Sequence, residues 1–193
     1  MTQLFRIAGL CGALRKDSFN MKLLLEAKRL APAGATVEII DWSELPIYNG
    51  DLEAQPPKSV LEFKEKIASC DAILIATPEY NFSYPGAFKN AIDWASRPLG
   101  TTNAFAGKAI AMMSAGPGAY PGSSGGHRAQ LHLQQVFSIL DTHLVSLPMI
   151  CVTGAGSAFE ESTGKLINEH TLHNIELKLE NLIKLTKKLN GSN

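Results

Sequence analysis

Short apolar runs alternate along this chain with longer stretches in which apolar residues recur every three or four positions. The short runs contain few polar residues, which is typical of strands that are buried on both faces of a sheet. They predict strands over Leu4–Leu10, Thr36–Ile40, Ala72–Ala76, Lys108–Ser114 and Leu144–Val152.

The longer stretches have the period of amphipathic helices. They predict helices over Phe19–Leu30, around Val60–Ile67, and over Ala87–Ser96, His127–Leu140 and Leu166–Leu189. The last helix is expected to bury Ile175, Leu179, Leu182, Ile183 and Leu189. Glycine and serine fill Gly154–Gly164, which we expect to be a loop.

Strands that alternate with helices predict an α/β fold with a parallel sheet. The simplest arrangement is a flavodoxin-like three-layer sandwich, in which a five-stranded parallel sheet of order 2-1-3-4-5 has helices on both faces. We expect one domain over residues 1–193, since neither a linker nor an internal repeat is visible. Ligands of such sheets bind outside the carboxyl ends of the strands, here beside strands 1 and 3.

The loop after the first strand, Leu10–Asn20, has the composition of an anion site. It contains a turn glycine, a guanidinium and two small polar side chains, namely Gly12, Arg15, Ser18 and Asn20. Unpaired amides at a helix start attract phosphate, and arginine adds a forked hydrogen bond. The alternative is an ordinary turn in which Asp17 or Ser18 caps the helix and Arg15 lies in solvent.

The loop after the third strand, Thr77–Gly86, combines three aromatic residues with two stiffening prolines. Such a loop can present its backbone to the edge of a planar heterocycle at a low cost in ordering entropy. In the alternative interpretation, the aromatic residues, above all Phe82 and Tyr84, pack into the core or against a neighbouring subunit.

A glycine-rich loop, Gly116–Gly126, follows the fourth strand. Its G-x-G-x-x-x-G spacing and its position argue against a dinucleotide fingerprint, which follows the first strand with one residue fewer. The loops after strands 1, 3 and 4 converge on one edge of the predicted sheet. This convergence predicts a bound phosphorylated cofactor.

Composition narrows the class of protein. Lysine plus arginine equals aspartate plus glutamate, 18 each, which argues against a general nucleic-acid binder. No apolar run reaches the ~20 residues of a membrane span, and no secretion signal is visible, so we expect a cytoplasmic protein. The cysteines, Cys11, Cys70 and Cys151, lack metal or redox spacing and are expected to be buried thiols, with a reactive Cys11 as the alternative.

Other polar and aromatic residues allow two interpretations. His170 and His173 are expected on a solvated helix face rather than at a metal, since supporting ligands are absent nearby. His127 and Arg128 either contact nicotinamide nucleotide phosphates or only decorate a helix start. Phe88 and Trp94 belong either to the core or to a dimer interface.

Three motifs, in this order, resemble the NADPH-dependent FMN reductase family, which includes bacterial quinone and chromate reductases. They are Gly-x-Leu-Arg-x-x-Ser-x-Asn at 12–20, Pro-Glu-Tyr-Asn-x-Ser-x-Pro-Gly at 78–86 and Lys-Asn-Ala-Ile-Asp-Trp at 89–94. The resemblance implies a flavodoxin-like fold, bound FMN, and homodimers or homotetramers with sites near the subunit interface.

The resemblance also implies which residues bind the cofactor. Arg15, Ser18 and Asn20 would hold the FMN phosphate, with backbone from Ala13 to Phe19, including Leu14. The isoalloxazine would be bordered on one side by Pro78, Glu79, Tyr80, Asn81 and Phe82 and approached on the other by Ser114 and Gly116. The chain departs from the family at Ala13, often serine, and at Asp17, often glycine, while Gly125 and Gly126 match its glycine pair.

The function that this resemblance implies is NAD(P)H-dependent two-electron reduction of quinones or similar acceptors, among them chromate, azo compounds or free flavin. We expect hydride to pass from NADPH or NADH through the flavin to a small-molecule acceptor, and no side chain to act as acid or base. The alternatives are a flavin-bound electron carrier, although the chain lacks the acidity of such carriers, and a non-enzymatic redox-sensing or partner-binding protein.

Overall fold

Five parallel strands form one sheet in the order β2-β1-β3-β4-β5 in a computed structural model of the protein. The structure describes residues 4–98, 100, 102–118 and 122–191, so the middle of the predicted loop 116–126 lies outside the described residues. The strands are β1 (Phe5–Cys11), β2 (Ala35–Ile39), β3 (Ala72–Ala76), β4 (Ala109–Ala115) and β5 (His143–Val152). The helices are α1 (Phe19–Arg29), α2 (Lys58–Ala68), α3 (Gly86–Ser96), α4 (His127–Phe137), α5 (Ala155–Ala158) and α6 (Glu169–Leu189), with a 3-10 turn at Gly50–Leu52.

The sheet separates two apolar clusters, which confirms the three-layer prediction. In β3, Leu74 faces the cluster under α1 and α6, while Ile73 and Ile75 face the cluster under α2, α3 and α4. Side chains alternate in this way because successive residues of a strand point to opposite faces. Both faces are covered, so a near-continuous apolar sequence is the expected one.

Phe88 and Trp94 of α3 are both buried, at 0% and 1% exposure, which assigns them to the interior of the chain. The indole Nε1 of Trp94 donates to the carbonyl of Pro46 at 2.8 Å. Asn90 accepts from the amide of Tyr48 at 2.7 Å. Helix α3 therefore anchors the irregular segment between β2 and α2.

The chain after β5 differs from the prediction. Part of Gly154–Gly164 forms the short helix α5, and α6 begins at Glu169 rather than at Leu166. Leu166 instead forms a bridge with Phe159, and Asn168 caps α6 by accepting from the amide of Thr171 at 2.8 Å. Leu189, predicted to be buried, is 38% exposed because it lies at the end of the helix beyond the sheet.

Candidate cofactor site

The loop after β1 begins where β1 and β3 lie side by side. The amide of Gly12 donates to the carbonyl of Ala76 at 2.8 Å. A Cβ atom at Gly12 would lie 2.4 Å from Oγ1 of Thr77 and 3.0 Å from its Cα. Glycine is needed here because the residue lies directly against Thr77, at the start of the loop after β3, and leaves no room for a side chain.

The following segment, Leu14–Asp17, is exposed. In the part of the chain that the structure describes, the Arg15 side chain has no hydrogen bond or ion pair, and the amides of Leu14 and Lys16 have no backbone partner. A guanidinium and a row of amides at the start of α1 provide the donors that a phosphate monoester requires. The loop fits the phosphate of FMN on this observation.

Ser18 is the N-cap of α1, and its Oγ accepts from the amide of Asn20 at 3.2 Å. The capping role that the sequence left open between Asp17 and Ser18 therefore belongs to Ser18. The hydroxyl keeps its hydrogen to donate. Its side chain is buried against Cys11, with 3.9 Å between Oγ and Sγ.

Asn20 is buried and turned towards β4. Its Nδ2 donates to the carbonyl of Ala115, and its Oδ1 accepts from the amide of the same residue, both at 2.9 Å. This pair of bonds ties the start of α1 to the end of β4. The contact between Asn20 and the phosphate stays a prediction, and its internal bonds account for an asparagine at this position.

The loop after β3 contains a tight two-residue turn. The amide of Tyr80 donates to the carbonyl of Ser83 at 2.7 Å, and the amide of Ser83 donates back at 3.0 Å. The two central residues, Asn81 and Phe82, have φ values of 50° and 65°, the geometry of a type I′ hairpin turn. Phe82 is 60% exposed and so does not pack into the core, whereas Tyr84 is half-buried against it.

Glu79 does not point into this loop but across to α4. Nε of Arg128 donates to Oε1 of Glu79 at 2.7 Å, while Oε2 accepts from Ser124 Oγ at 3.0 Å and from the amide of Arg128 at 3.2 Å. Burial by itself raises the pKa of Glu79, but the hydrogen bonds and the charge of Arg128 outweigh it and lower the pKa below its usual range. Arg128 is thus engaged within the chain, and only the backbone of Glu79 is left to border a ring.

The end of β4 is also internal. Ser114 is fully buried, and its Oγ accepts from Nε2 of Gln130 at 2.7 Å. A Cβ atom at Gly126, whose φ is 94°, would lie 2.5 Å from Cβ of Ser114. The side chain of Ser114 therefore makes its contacts inside the chain, while Gly116 is partly exposed and donates its amide to the carbonyl of Val152 at 2.9 Å.

The cysteines and the two histidines of α6 do not form a second centre among the described residues. Burial raises the pKa of the thiols of Cys11, Cys70 and Cys151, which disfavours the reactive thiolate form. His170 and His173 are exposed on α6. The residues that the structure describes contain no group of three or more metal-ligating His, Cys, Asp or Glu side chains, and none of their helices has the length and apolar content to cross a bilayer.

Sequence reasoning identified the three loops but not the side chains that hold them together. Gln130 and Thr77 carry no motif, and their contacts arise only once β3, β4 and α4 are packed. The sequence drew attention to both Arg128 and Glu79, but it did not predict that these residues, 49 positions apart, form a pair. The pairing needs the topology, which brings the loop after β3 beside the start of α4.

Comparison with known proteins connects this geometry to a family. Residues 5–155 match the family profile described as NADPH-dependent FMN reductase. The chain is 38% identical to a NAD(P)H-dependent FMN reductase of Pseudomonas aeruginosa, with 99% of this chain and 100% of that protein covered. It is 41% identical to a quinone reductase of Pseudomonas putida, covering 86% of this chain and 87% of that protein.

A solved structure has the same architecture along its whole length. The flavoenzyme NAD(P)H:(acceptor) oxidoreductase FerB from Paracoccus denitrificans superposes with a TM-score of 0.84 at 35% identity, over 96% of this chain and 98% of that one. The sheet order, the three converging loops and these matches agree. The protein belongs to the NADPH-dependent FMN reductase family.

Proposed function

We propose that this protein is an FMN-dependent oxidoreductase that transfers two electrons from NADPH or NADH to quinones or related small acceptors. The observation that carries the proposal is the exposed loop after β1, whose guanidinium and amides lack partners among the described residues, in a chain of this family. Chromate, azo compounds and free flavin are further acceptors to test.

The residues present fit FMN at both of its ends. Arg15, Ser18 and the amides from Ala13 to Phe19 would hold the phosphate, and the exposed side-chain donors of this loop lack competing partners among the described residues. The backbone of Pro78 to Phe82 would border the isoalloxazine, with Gly116 approaching from the β4 side. When bound, FMN supplies the two-electron chemistry by accepting hydride and passing electrons on.

In this proposal the chain positions the flavin, and none of its side chains transfers a proton. The turn at Tyr80–Ser83 is closed by two backbone hydrogen bonds, and amides held in this way need little reorganisation when charge develops on a nearby group. The best-placed carboxylate, Glu79, is engaged by Arg128 and Ser124. We therefore assign no side chain as acid or base.

We further propose a cytoplasmic homodimer or homotetramer. Free cysteines at 11, 70 and 151 support a reducing compartment. Leu131 on α4 is 44% exposed, and Ile139, just past its end, is 82% exposed, which supports an interface that covers this side. Light scattering of the purified protein gives the number of subunits directly, and a monomeric mass contradicts this part of the proposal.

Anaerobic turnover tests the proposal. Protein reconstituted with FMN is mixed with NADPH or NADH, with and without a benzoquinone, and nicotinamide oxidation is followed by absorbance. We expect sustained oxidation only with the quinone. An electron carrier would show no direct oxidation of the nicotinamide, and a flavin-loaded preparation that behaves in this way contradicts the proposal.

A further inference from the structure

We propose that Arg128 is a positioning residue that joins the two loops on the ring side of the site through Glu79, and that this link, the Glu79–Arg128 clasp, sets the width of the ring pocket. The inference rests on the proposed function, because it assumes that the flavin ring binds between these loops. It assigns to Arg128 a role that is neither nucleotide binding nor surface decoration.

The clasp connects segments that the sheet alone does not join. Glu79 belongs to the loop after β3, whereas Ser124 and Arg128 belong to the end of the loop after β4 and to the first turn of α4. Both carboxylate oxygens of Glu79 are used, Oε1 by the guanidinium and Oε2 by the Ser124 hydroxyl and the Arg128 amide. A two-sided arrangement of this kind fixes the distance and the orientation of the two loops.

The same guanidinium also supports the strained turn. It lies 4.3 Å from the centre of the Phe82 ring, and His132, one turn further along α4, lies 2.9 Å from Ser83 Oγ through its Nδ1. Asparagine tolerates the positive φ of Asn81, but Phe82, with a φ of 65°, holds a backbone conformation that a bulky residue adopts only when its surroundings enforce it. Helix α4 therefore contacts the turn at two residues, Phe82 through Arg128 and Ser83 through His132.

Burial makes the clasp asymmetric. The side chain of Glu79 is 5% exposed and that of Arg128 is 30% exposed. If Arg128 is removed, a nearly buried carboxylate remains without its cation, which is more costly than removing both charges. The double variant Glu79→Gln/Arg128→Met is therefore expected to be closer to wild type than Arg128→Met alone.

The clasp acts on the ring end of the ligand and not on its phosphate. A pocket that is already in its bound shape saves the entropy of ordering the loops on binding. Loss of the clasp should therefore weaken FMN and riboflavin by the same factor, because both contain the ring. Loss of Arg15, by contrast, should weaken FMN but leave riboflavin unchanged, because riboflavin has no phosphate.

The experiment uses the full-length protein freed of flavin and four variants, namely R128M, R128K, E79Q and E79Q/R128M. Fluorescence titration with FMN and with riboflavin gives the dissociation constants. We expect R128M to weaken both flavins roughly tenfold, the double variant to recover most of this loss, and R128K to fall between, since lysine lacks the planar fork. Arg97→Met is the matched control, because Arg97 also lies on an aromatic ring, 5.4 Å from that of Tyr48, but outside both loops.

Hydrogen–deuterium exchange of the flavin-free protein separates failure of the clasp from failure of the proposed function. In R128M, exchange should accelerate in residues 79–84 and 122–128 and stay unchanged around Gly12–Phe19. Unchanged exchange in the two ring-side segments, or faster exchange with wild-type binding of both flavins, overturns the inference. A wild-type protein that binds no flavin overturns the proposed function instead, while exchange still reports whether the clasp orders the loops.

Discussion

The two ends of the candidate site use arginine in opposite ways. Arg15, at the phosphate end, is exposed, and its side chain has no hydrogen bond or ion pair within the described ranges. Arg128, at the ring end, is paired with a nearly buried carboxylate and stacked on Phe82. Arg128 is paired with a carboxylate of the same chain and so holds parts of the chain together. Arg15 is left in solvent and so is available to a charged ligand.

The backbone of the two ends differs in the same way as the two arginines: it has free donors at the phosphate end and is bonded internally at the ring end. The loop at 14–17 is exposed and carries amides without backbone partners among the residues described. The ring-side loops contain a closed turn, a two-sided carboxylate and a glycine pressed against Ser114. The phosphate end thus leaves donors free for a ligand, whereas the described groups of the ring end are bonded to one another.

A methyl group added at the ring end should lower the free energy of unfolding, and this is the largest effect that we expect. In Gly126→Ala, the new Cβ meets Ser114 Cβ at 2.5 Å in a residue whose φ is 94°. Left-handed strain and overpacking together should lower the free energy of unfolding by roughly 3–5 kcal/mol. Urea denaturation of the flavin-free protein measures this value.

Gly34→Ala is the matched control for that experiment. Gly34 has a similar φ of 84°, but nothing lies within 4 Å of its added Cβ. It should lose only the strain contribution, about 1–2 kcal/mol. Equal losses in the two variants would mean that the contact between Gly126 and Ser114 does not constrain the ring end.

Removal of the free cation at the phosphate end should affect the ligand and spare the fold. Arg15→Ala should weaken FMN binding roughly 100-fold, about 3 kcal/mol, which is the size expected for charged hydrogen bonds to a phosphate. The melting temperature of the flavin-free protein should not change, since Arg15 is exposed. Lys28→Ala, at an exposed cation near the other end of α1, controls for net charge, and wild-type FMN occupancy in R15A would place the phosphate elsewhere.

Periodicity and turn chemistry predicted most of the fold. The bounds of β3 were obtained correctly from five consecutive apolar residues, and the sheet order followed from the alternation of strands and helices. The start of α6 was missed because the pattern includes Leu166, whose apolar side chain belongs to a bridge with Phe159 rather than to the helix. An apolar residue in the sequence indicates burial, but it does not indicate which helix, strand or bridge the residue belongs to.

The candidate site was predictable as loops and only partly as side chains. The family resemblance implied that Glu79, Ser114 and Asn20 lie near the cofactor, and in the structure the three side chains are bonded within the chain, to Arg128, Gln130 and Ala115. Short motifs record residue types, whereas the choice between a ligand and an internal partner depends on what packs behind the loop. Arg15 differs from these three because its side chain is exposed and has no hydrogen-bond or ion-pair partner among the described residues.

The smallest effect concerns the protonation of Glu79 and tests whether the ring end is held by charge. Its pKa is lowered in the folded protein, so its contribution to stability is complete above the pKa of the unfolded chain and is lost as pH falls through the folded value. Between pH 6 and pH 3, wild type should therefore lose more stability than Glu79→Gln, by on the order of 1 kcal/mol.

Urea denaturation at several pH values measures the difference between the two proteins, and Glu62→Gln, at an exposed glutamate of α2, should track wild type. Parallel curves for wild type and E79Q would show that hydrogen bonds that survive protonation, rather than the charge of Glu79, hold the two loops together.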